Sequence, residues 1–352
     1  MKVCLVFRYA IEMGLRDRIA SGEYPHVDFF NLADRLHADV LDFGRVKESR
    51  LIPVLAARFF DMTLASAVLA WTRRTEFDVF FISSETAGIL LSTFLRFSRK
   101  RPRIAIANHH LSSKWKSRFF RLLHLDAVTD AIICMNQFQA NFAKTTLRIE
   151  NHKVYELVYG ACVDGSFFTP ARAEQTGIPY VLSVGREGRD FETLVKALDT
   201  LDIPATIVAS GMRGANQYSN LLPTSQKNVK VLRDISYTEL RSLYAGCAFV
   251  ILPLHDLEYP AGITAIMEAM AMGKAVIATR SRGVCELIED GNTGMWAKVA
   301  DPEDLRMKIL SLWNNPHLAK RMGKNARAFA EERVNLNRYV EDLASILTQL
   351  KC

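Results

Sequence analysis

The stretch Glu258–Thr279, EYPAGITAIMEAMAMGKAVIAT, holds the residues best spaced for chemistry. Ile263, Ile266, Met267 and Met270 follow the i, i+3, i+4, i+7 rule of a helix with one apolar face. Thr264 and Glu268 stand four apart on a different face, where they can reach one ligand together. The free N–H groups of a helix start suit a diphosphate, and a carboxylate one turn further in can accept two ribose hydroxyls. The pattern therefore fits a nucleotide, and it equally fits an ordinary amphipathic helix with a solvated Glu268. Gly273 suits the left-handed position that ends a helix, and Ala275–Ala278 reads as an interior strand.

A second cluster lies in VLSVGREGRDFETL. Gly185 and Gly188 free the backbone just past a strand, where open α/β sheets bind ligands. Arg186 and Arg189 are cations with forked donors suited to a diphosphate, or surface arginines on a tight turn. In IAIANHHLSSKW, His109 and His110 follow a strand; such a histidine is either structural or a contact to a reacting group, with His109 the better placed. Glu85, at the strand-to-helix junction SSETAG, is either an ordinary first-turn carboxylate or a substrate contact.

Other chemistries are disfavoured. His and Cys never recur at ligand spacing, so no metal and no other cofactor is expected. The first turn, RYAIEMG, lacks the GxGxxG of a dinucleotide site. Cys4, Cys134, Cys162, Cys247, Cys285 and Cys352 form no CxxC pair. Five lie in apolar or strand-like contexts, which fits buried thiols in a reducing cytosol and a cytoplasmic protein.

The elements that must position these residues alternate along the chain, which implies a parallel α/β fold. Strands are expected at Val3–Phe7, Asp39–Phe43, Phe77–Ser83, Arg103–Ala107, Ala131–Met135 and Val154–Val158. Helices between them are expected at Asp28–Leu36, Leu51–Arg73, Glu85–Phe97, Lys114–Leu123 and Gln137–Lys144. Gly, Pro and small polar residues then cluster over Asp164–Pro179, a linker. The alternation restarts with strands Tyr180–Val184, Ala205–Ala209, Val229–Leu232, Ala248–Leu252 and Ala275–Ala278. Helices are expected at Phe191–Thr200, Tyr237–Tyr244, Asp301–Trp313, Pro316–Arg333 and from about Asn337 to Leu350. The 352 residues, 49% hydrophobic, suffice for two doubly wound domains. These are 1–168 and 169–334, with a last helix over about 335–352 returning to the first. Met62–Trp71 and Thr86–Leu95 are too short to span a bilayer, and the N-terminus reads as a first strand rather than a signal peptide.

The order strand–GRxxRD, ASG, NVKVLRDISYTELRSLYAGCAFVILPL, EYPAGITAIMEAMAMGKAVIAT, GVCELIEDGNTGMW resembles the nucleotide-sugar domain of glycosyltransferase family 4. DAIICMNQFQANF and VYGACVDGSFFTP are similar to that family's crossover between domains, so the resemblance covers about Phe77 to Ala330. It implies the GT-B fold, two Rossmann-like domains facing a cleft, and a metal-independent retaining transferase using a nucleotide-diphosphate sugar such as a UDP-sugar. Glu268 matches the second Glu of the family's E-x7-E motif, implying a hold on the ribose. Gly262, Ile263 and Thr264 match the helix start at the phosphates, with Gly185 in the glycine loop. Arg186 and Arg189 match the basic pair on the diphosphate. Arg233 and Tyr237 lie where the base is usually sandwiched, and Glu286 and Leu287 in a loop near the nucleotide. Eight residues before Glu268 stands Pro260, so the first Glu of the motif is absent in register; either Glu258, or Asp256, replaces it from the loop, or the AGIT backbone does the work alone. His109, with His110 beside it, falls where the family places a histidine near the reaction. Arg8, Gly14 and Glu85 fall on the acceptor side.

Net charge is +7 and uneven: residues 1–170 hold 23 Lys and Arg against 17 Asp and Glu. Such a surplus favours an anionic partner. Phe94–Arg103 and Lys114–Arg121 combine aromatic and basic residues and fit either peripheral contact with anionic lipid, on the inner face of a membrane, or a solvated face with snorkelling arginines. The expected partners are thus a nucleotide-sugar donor and a glycan, lipid-linked or small-molecule acceptor, with no nucleic acid. Two other functions share these features, a nucleotide-sugar epimerase and a non-catalytic sugar-nucleotide-binding subunit of a membrane-associated complex.

Overall fold

The computed structural model describes residues 1–49, 61–157, 163–172, 178–185, 187–209, 228–284 and 287–350. In chain order the strands are β1 Val3–Val6, β2 Asp39–Leu41, β3 Val79–Ile82, β4 Arg103–Asn108, β5 Ala131–Cys134, β6 Val154–Glu156, β7 Val181–Val184, β8 Ala205–Val208, β9 Val229–Leu232, β10 Phe249–Leu252, β11 Val276–Thr279 and β12 Gly294–Ala297. The helices are α1 Leu15–Ala20, α2 Asp28–Leu36, α3 Phe43–Glu48, α4 Met62–Thr72, α5 Glu85–Arg96, α6 Lys114–Leu122, α7 Gln137–Thr145, α8 Phe191–Leu198, α9 Tyr237–Gly246, α10 Ile263–Ala271, α11 Pro302–Trp313, α12 Pro316–Arg333 and α13 Leu336–Gln349.

Two parallel six-stranded sheets result, ordered β2-β1-β3-β4-β5-β6 and β12-β11-β10-β7-β8-β9. All four residues are buried in each of β1, β3, β5, β7, β8, β10 and β11. Helices cover both faces of such sheets, which is why these strands are unbroken apolar runs rather than alternating ones. One core of the first unit gathers Phe80, Ile82 and Ile104 against Leu91 and Leu95 of α5. The core of the second gathers Ile207, Phe249 and Ile277 against Leu194 of α8 and Leu305 and Ile309 of α11.

The expected strands and helices recur, with ends moved by a few residues. Phe43 does not end β2; it opens α3, because the Asp42 side chain accepts from the N–H of Arg45 at 3.0 Å and caps a helix there. α1, α3 and the edge strand β12 are short elements that periodicity does not reveal. Residues 50–60, which take in the start of the expected Leu51–Arg73 helix, lie outside the described residues, as do Val158, Cys162, Cys285 and Cys352. Cys4, Cys134 and Cys247 are free and buried.

The compact units are not simple halves of the chain. The first comprises 1–16, 27–160 and 337–352, the second 17–26 and 161–336. In the first, Arg35 of α2 meets Glu341 of α13 through two bonds of 2.7 and 3.0 Å. In the second, the backbone N–H of His26 donates to Asp164 at 2.9 Å, and Tyr24 lies edge-on to Tyr237 with centroids 4.5 Å apart.

Asp164 also accepts from the N–H groups of Ser166 and Phe167 and from the Ser166 hydroxyl. Burial pushes its carboxyl up, but these donors outweigh burial and hold it below its ordinary 3.8. A lowered folded pKa contributes stability that is present above the unfolded value and lost as pH falls through the folded one. Asp164→Asn is therefore expected to cost about 1–3 kcal/mol at neutral pH. Denaturant titration at several pH values should show the gap from the parent closing as pH falls below the carboxylate range.

Candidate functional site

In the second sheet the strand order reverses between β10 and β7. A doubly wound sheet opens a crevice at the carboxyl ends of the strands at such a point. The loops that follow β7 and β10 both start there.

The loop after β7 turns on Gly185 (φ 144°) and Gly188 (φ 72°), conformations that side chains rarely adopt. Asp190 then caps α8, accepting from the N–H of Thr193 at 3.0 Å and from its hydroxyl at 2.7 Å. The loop is strapped to the one after β10: Asp190 N–H donates to Pro253 O and His255 N–H to Gly188 O, both at 3.0 Å. Between those straps Arg189 folds inward. Its Nε donates to Val184 O at 3.0 Å and one terminal N–H to Glu187 O at 2.9 Å. A Cβ on Gly185 would lie 2.0 Å from the guanidinium, so only glycine leaves room for this inward turn.

Arg189 is 5% exposed, so the surface-arginine reading does not hold for it. Burial pushes its pKa down to about 10, while Tyr244, Glu268, Tyr259 and Glu187 pull the other way. It stays protonated at pH 7. Among the described residues Arg189 forms no ion pair with a carboxylate; its two bonds there are to carbonyl oxygens. The guanidinium also abuts the start of α10, 3.5 Å from where a Cβ on Gly262 would stand. Gly262 is the left-handed residue (φ 85°) before Ile263 opens the helix. A buried cation, N–H groups at a helix start and two permissive glycines thus share one corner. Arg186 lies outside the described residues.

α10 ends at Gly273 (φ 67°) as its sequence implies. Its apolar residues are buried, and so is Glu268, at 5% exposure. The solvated-Glu reading is therefore overturned, and Thr264, which is exposed, does not share its surroundings. Tyr244 of α9, fully buried, donates its hydroxyl to Glu268 Oε2 at 2.8 Å. A buried tyrosine needs such a partner. Sequence reasoning missed Tyr244; its one signal was a polar tip on the apolar face of α9.

The loop ahead of α10 is tied down as well. Arg282 holds both acids proposed for the missing motif position, Asp256 at 2.9 Å and Glu258 at 3.4 Å. The Tyr259 hydroxyl donates to Glu187 at 3.0 Å, joining this loop to the glycine loop. Ser281 accepts from the N–H of Leu257 at 2.8 Å. Arg233 is exposed, whereas Tyr237 is half-buried among Tyr24, Phe167 and Phe168. Leu287 is buried, and Glu286 lies outside the described residues.

In the first unit a second cluster forms around Glu85 at the start of α5. Its carboxylate accepts from the backbone N–H groups of His109 and His110, while Lys116 of α6 donates to Oε2 at 3.2 Å. Burial would raise the Glu85 pKa; His109 when protonated, Lys116 and the His110 N–H more than offset this and hold it below 4.5. Asn108 accepts from the N–H of Leu111, and Gln139 exchanges two bonds with Ser112. Buried side chains thus fix the whole turn 109–112, with the His109 ring about half exposed and its Nδ1 3.8 Å from Glu85. Both alternatives for Glu85 gain a third: it is the clamp on the histidine loop. Arg8 and Gly14 (φ 76°) are exposed in the loop after β1, as their place in the chain implies.

Known proteins fit this arrangement. Residues 168–329 match the family model of glycosyl transferases group 1. An uncharacterised glycosyltransferase of Methanocaldococcus jannaschii is 27% identical over 231 residues, 63% of this chain and 60% of that protein. D-rhamnosyltransferase WbpZ of Pseudomonas aeruginosa is 27% identical over 191 residues, 52% of this chain and 50% of its own. The matches thus span three fifths or less of these curated relatives. Among solved structures, sucrose-phosphate synthase of Thermosynechococcus elongatus superposes with a TM-score of 0.74 at 15% identity, covering 99% of this chain and 98% of that one. HepE of Anabaena, in complex with UDP, gives 0.70 at 16%, covering 99% and 100%. At such identities the likeness shows the fold, and the fold is GT-B.

Proposed function

We propose, for a chain that through residues 168–329 belongs to the group 1 glycosyltransferases, transfer of a sugar from a nucleotide-diphosphate-sugar donor, with UDP as its nucleotide, to a glycan, lipid-linked or small-molecule acceptor. Anomeric configuration is retained and no metal is required. One observation carries the donor site: Arg189 is a buried cation with no carboxylate partner among the described residues, beside the start of α10. A buried charge is costly unless paired, and a diphosphate at the helix start supplies the missing anion. Glu268 takes the ribose, and Arg189 with the α10 N–H groups stabilises the charge that grows on the departing nucleotide. His109, fixed by Glu85, serves as the histidine of the acceptor-side unit. HepE has been crystallised with UDP-glucose, which supports the donor class. A relative at 29% identity over 107 residues is an N,N'-diacetylbacillosaminyl-diphospho-undecaprenol alpha-1,3-N-acetylgalactosaminyltransferase, which supports a lipid-linked acceptor.

Incubation with UDP-, GDP- and dTDP-sugars, with and without acceptors, tests this by nucleotide release. Release that requires acceptor and persists in EDTA is expected, with the product anomer read by NMR. Sugar interconversion without acceptor would instead identify an epimerase, and binding without turnover a carrier subunit. Glu258→Ala decides the missing motif position. Its Arg282 pair is exposed enough that stability should move by under about 1 kcal/mol, so a large loss of turnover would assign Glu258 to the sugar. Intact turnover would remove it from the site.

A further inference from the structure

We propose that the outward face of α6, together with the end of α5, docks on an anionic phospholipid bilayer. The inference deepens the lipid-linked-acceptor reading above but rests on different residues from those of the donor site.

Between Glu85 and Asp126 the chain carries nine Lys and Arg and no Asp or Glu. The structure sorts these nine. Arg101 and Arg103 are spent on Asp130, at 2.7 and 2.8 Å, and Lys116 on Glu85. Arg96 reaches across to His124 O at 2.7 Å, which sets the ends of α5 and α6 side by side. The other five, Arg99, Lys100, Lys114, Arg118 and Arg121, are exposed and form no ion pair among the described residues.

The apolar pattern is as unequal. α6 already buries one face, through Ser117 and Phe120. A second stripe at i, i+4, i+7 stays in solvent: Trp115, Phe119 and Leu122 are 48%, 50% and 74% exposed. Phe97, just past α5, is 82% exposed. A surface helix normally carries one apolar stripe, so large apolar side chains left outside in a row mark a partner. Lys114, Arg118 and Arg121 run beside that stripe with the same spacing. Phe94, by contrast, packs on Trp71 with centroids 6.2 Å apart and belongs to the core. The docking face is thus smaller than the two sequence clusters from which it is drawn. Aromatic rings flanked by unpaired cations match the headgroup boundary of an anionic leaflet, where rings enter the interface and cations meet lipid phosphates. No described helix is long and apolar enough to cross the bilayer.

Flotation of the full chain with vesicles of phosphatidylcholine, with or without roughly one-third phosphatidylglycerol, tests the proposal. Binding is expected only to the anionic vesicles, with Trp115 fluorescence quenched by brominated acyl chains and the quenching lost in Trp115→Phe. Each cation near an anionic surface contributes about fivefold, so Arg118→Glu with Arg121→Glu should weaken binding by roughly 25-fold or more. Phe119→Ser with Leu122→Ser should release the chain without unfolding it, both side chains being solvent-exposed. A wild-type chain that stays unbound, that binds neutral vesicles equally, or whose variants float unchanged overturns the proposal. Nucleotide release on a water-soluble acceptor should be unaffected by these substitutions, so the docking face and the transferase reading fail separately.

Discussion

Replacing Arg189 with methionine is expected to lower turnover about a hundred- to a thousandfold while changing the stability of the free chain little. Two opposing terms set the second half of that expectation. Relieving a buried cation of its desolvation is worth several kcal/mol at most. Against it, Val184 O and Glu187 O lose the donors they hold at 3.0 and 2.9 Å, about 1–3 kcal/mol for each buried group. Methionine is long and flexible enough to fill the slot that Gly185 leaves open. Thermal unfolding with and without UDP gives the decisive comparison. UDP should raise the midpoint of the parent and leave that of Arg189→Met almost unmoved. Equal protection of the two proteins by UDP would sink the assignment of the guanidinium to the diphosphate.

Glu268→Ala is expected to abolish measurable donor binding, and Glu268→Gln to weaken it less. A carboxylate that accepts from two ribose hydroxyls makes two charge-assisted bonds, each about 1.5–3 kcal/mol, so the alanine variant should lose at least about a hundredfold. The alanine also strands the buried Tyr244 hydroxyl, which donates to Glu268 at 2.8 Å, whereas glutamine can still accept from it. Tyr244→Phe separates the two effects. It keeps the ring in its slot, removes one bond to a charged group, and should weaken donor binding about tenfold through a less firmly held carboxylate. Calorimetric titration with UDP against the three variants measures this. If Glu268→Ala binds UDP as the parent does, the buried carboxylate is a structural partner of Tyr244 and nothing more.

Much of the architecture was open to reading because parallel strands buried on both faces must be apolar without interruption. β1, β3 and β10 announce themselves in that way, and long helices such as α2 and α12 by their period. The short elements did not. α3 exists because Asp42 caps it, and a cap of one side chain is a weaker signal than a repeating face. Segment 17–26 joining the second unit was beyond reach for another reason. Its hydrogen bond to Asp164 and its ring contact with Tyr237 link residues far apart in sequence.

The same division runs through the site. By itself the sequence determined which side chains could meet a nucleotide, because glycines at sharp turns, an arginine pair and a carboxylate inside a helix start are properties of spacing and residue type. The tertiary structure alone decided their states. It turned Arg189 inward, gave Glu268 a tyrosine, bound Asp256 and Glu258 to one arginine, and made Glu85 the clamp of the histidine loop. It likewise spent four of nine cations and, among the described residues, left Lys114, Arg118 and Arg121 without an ion pair beside Trp115, Phe119 and Leu122. The physical reason is that a buried polar group must be satisfied by whatever the fold brings next to it, and that neighbour is chosen by strand order and helix packing rather than by nearness in the chain.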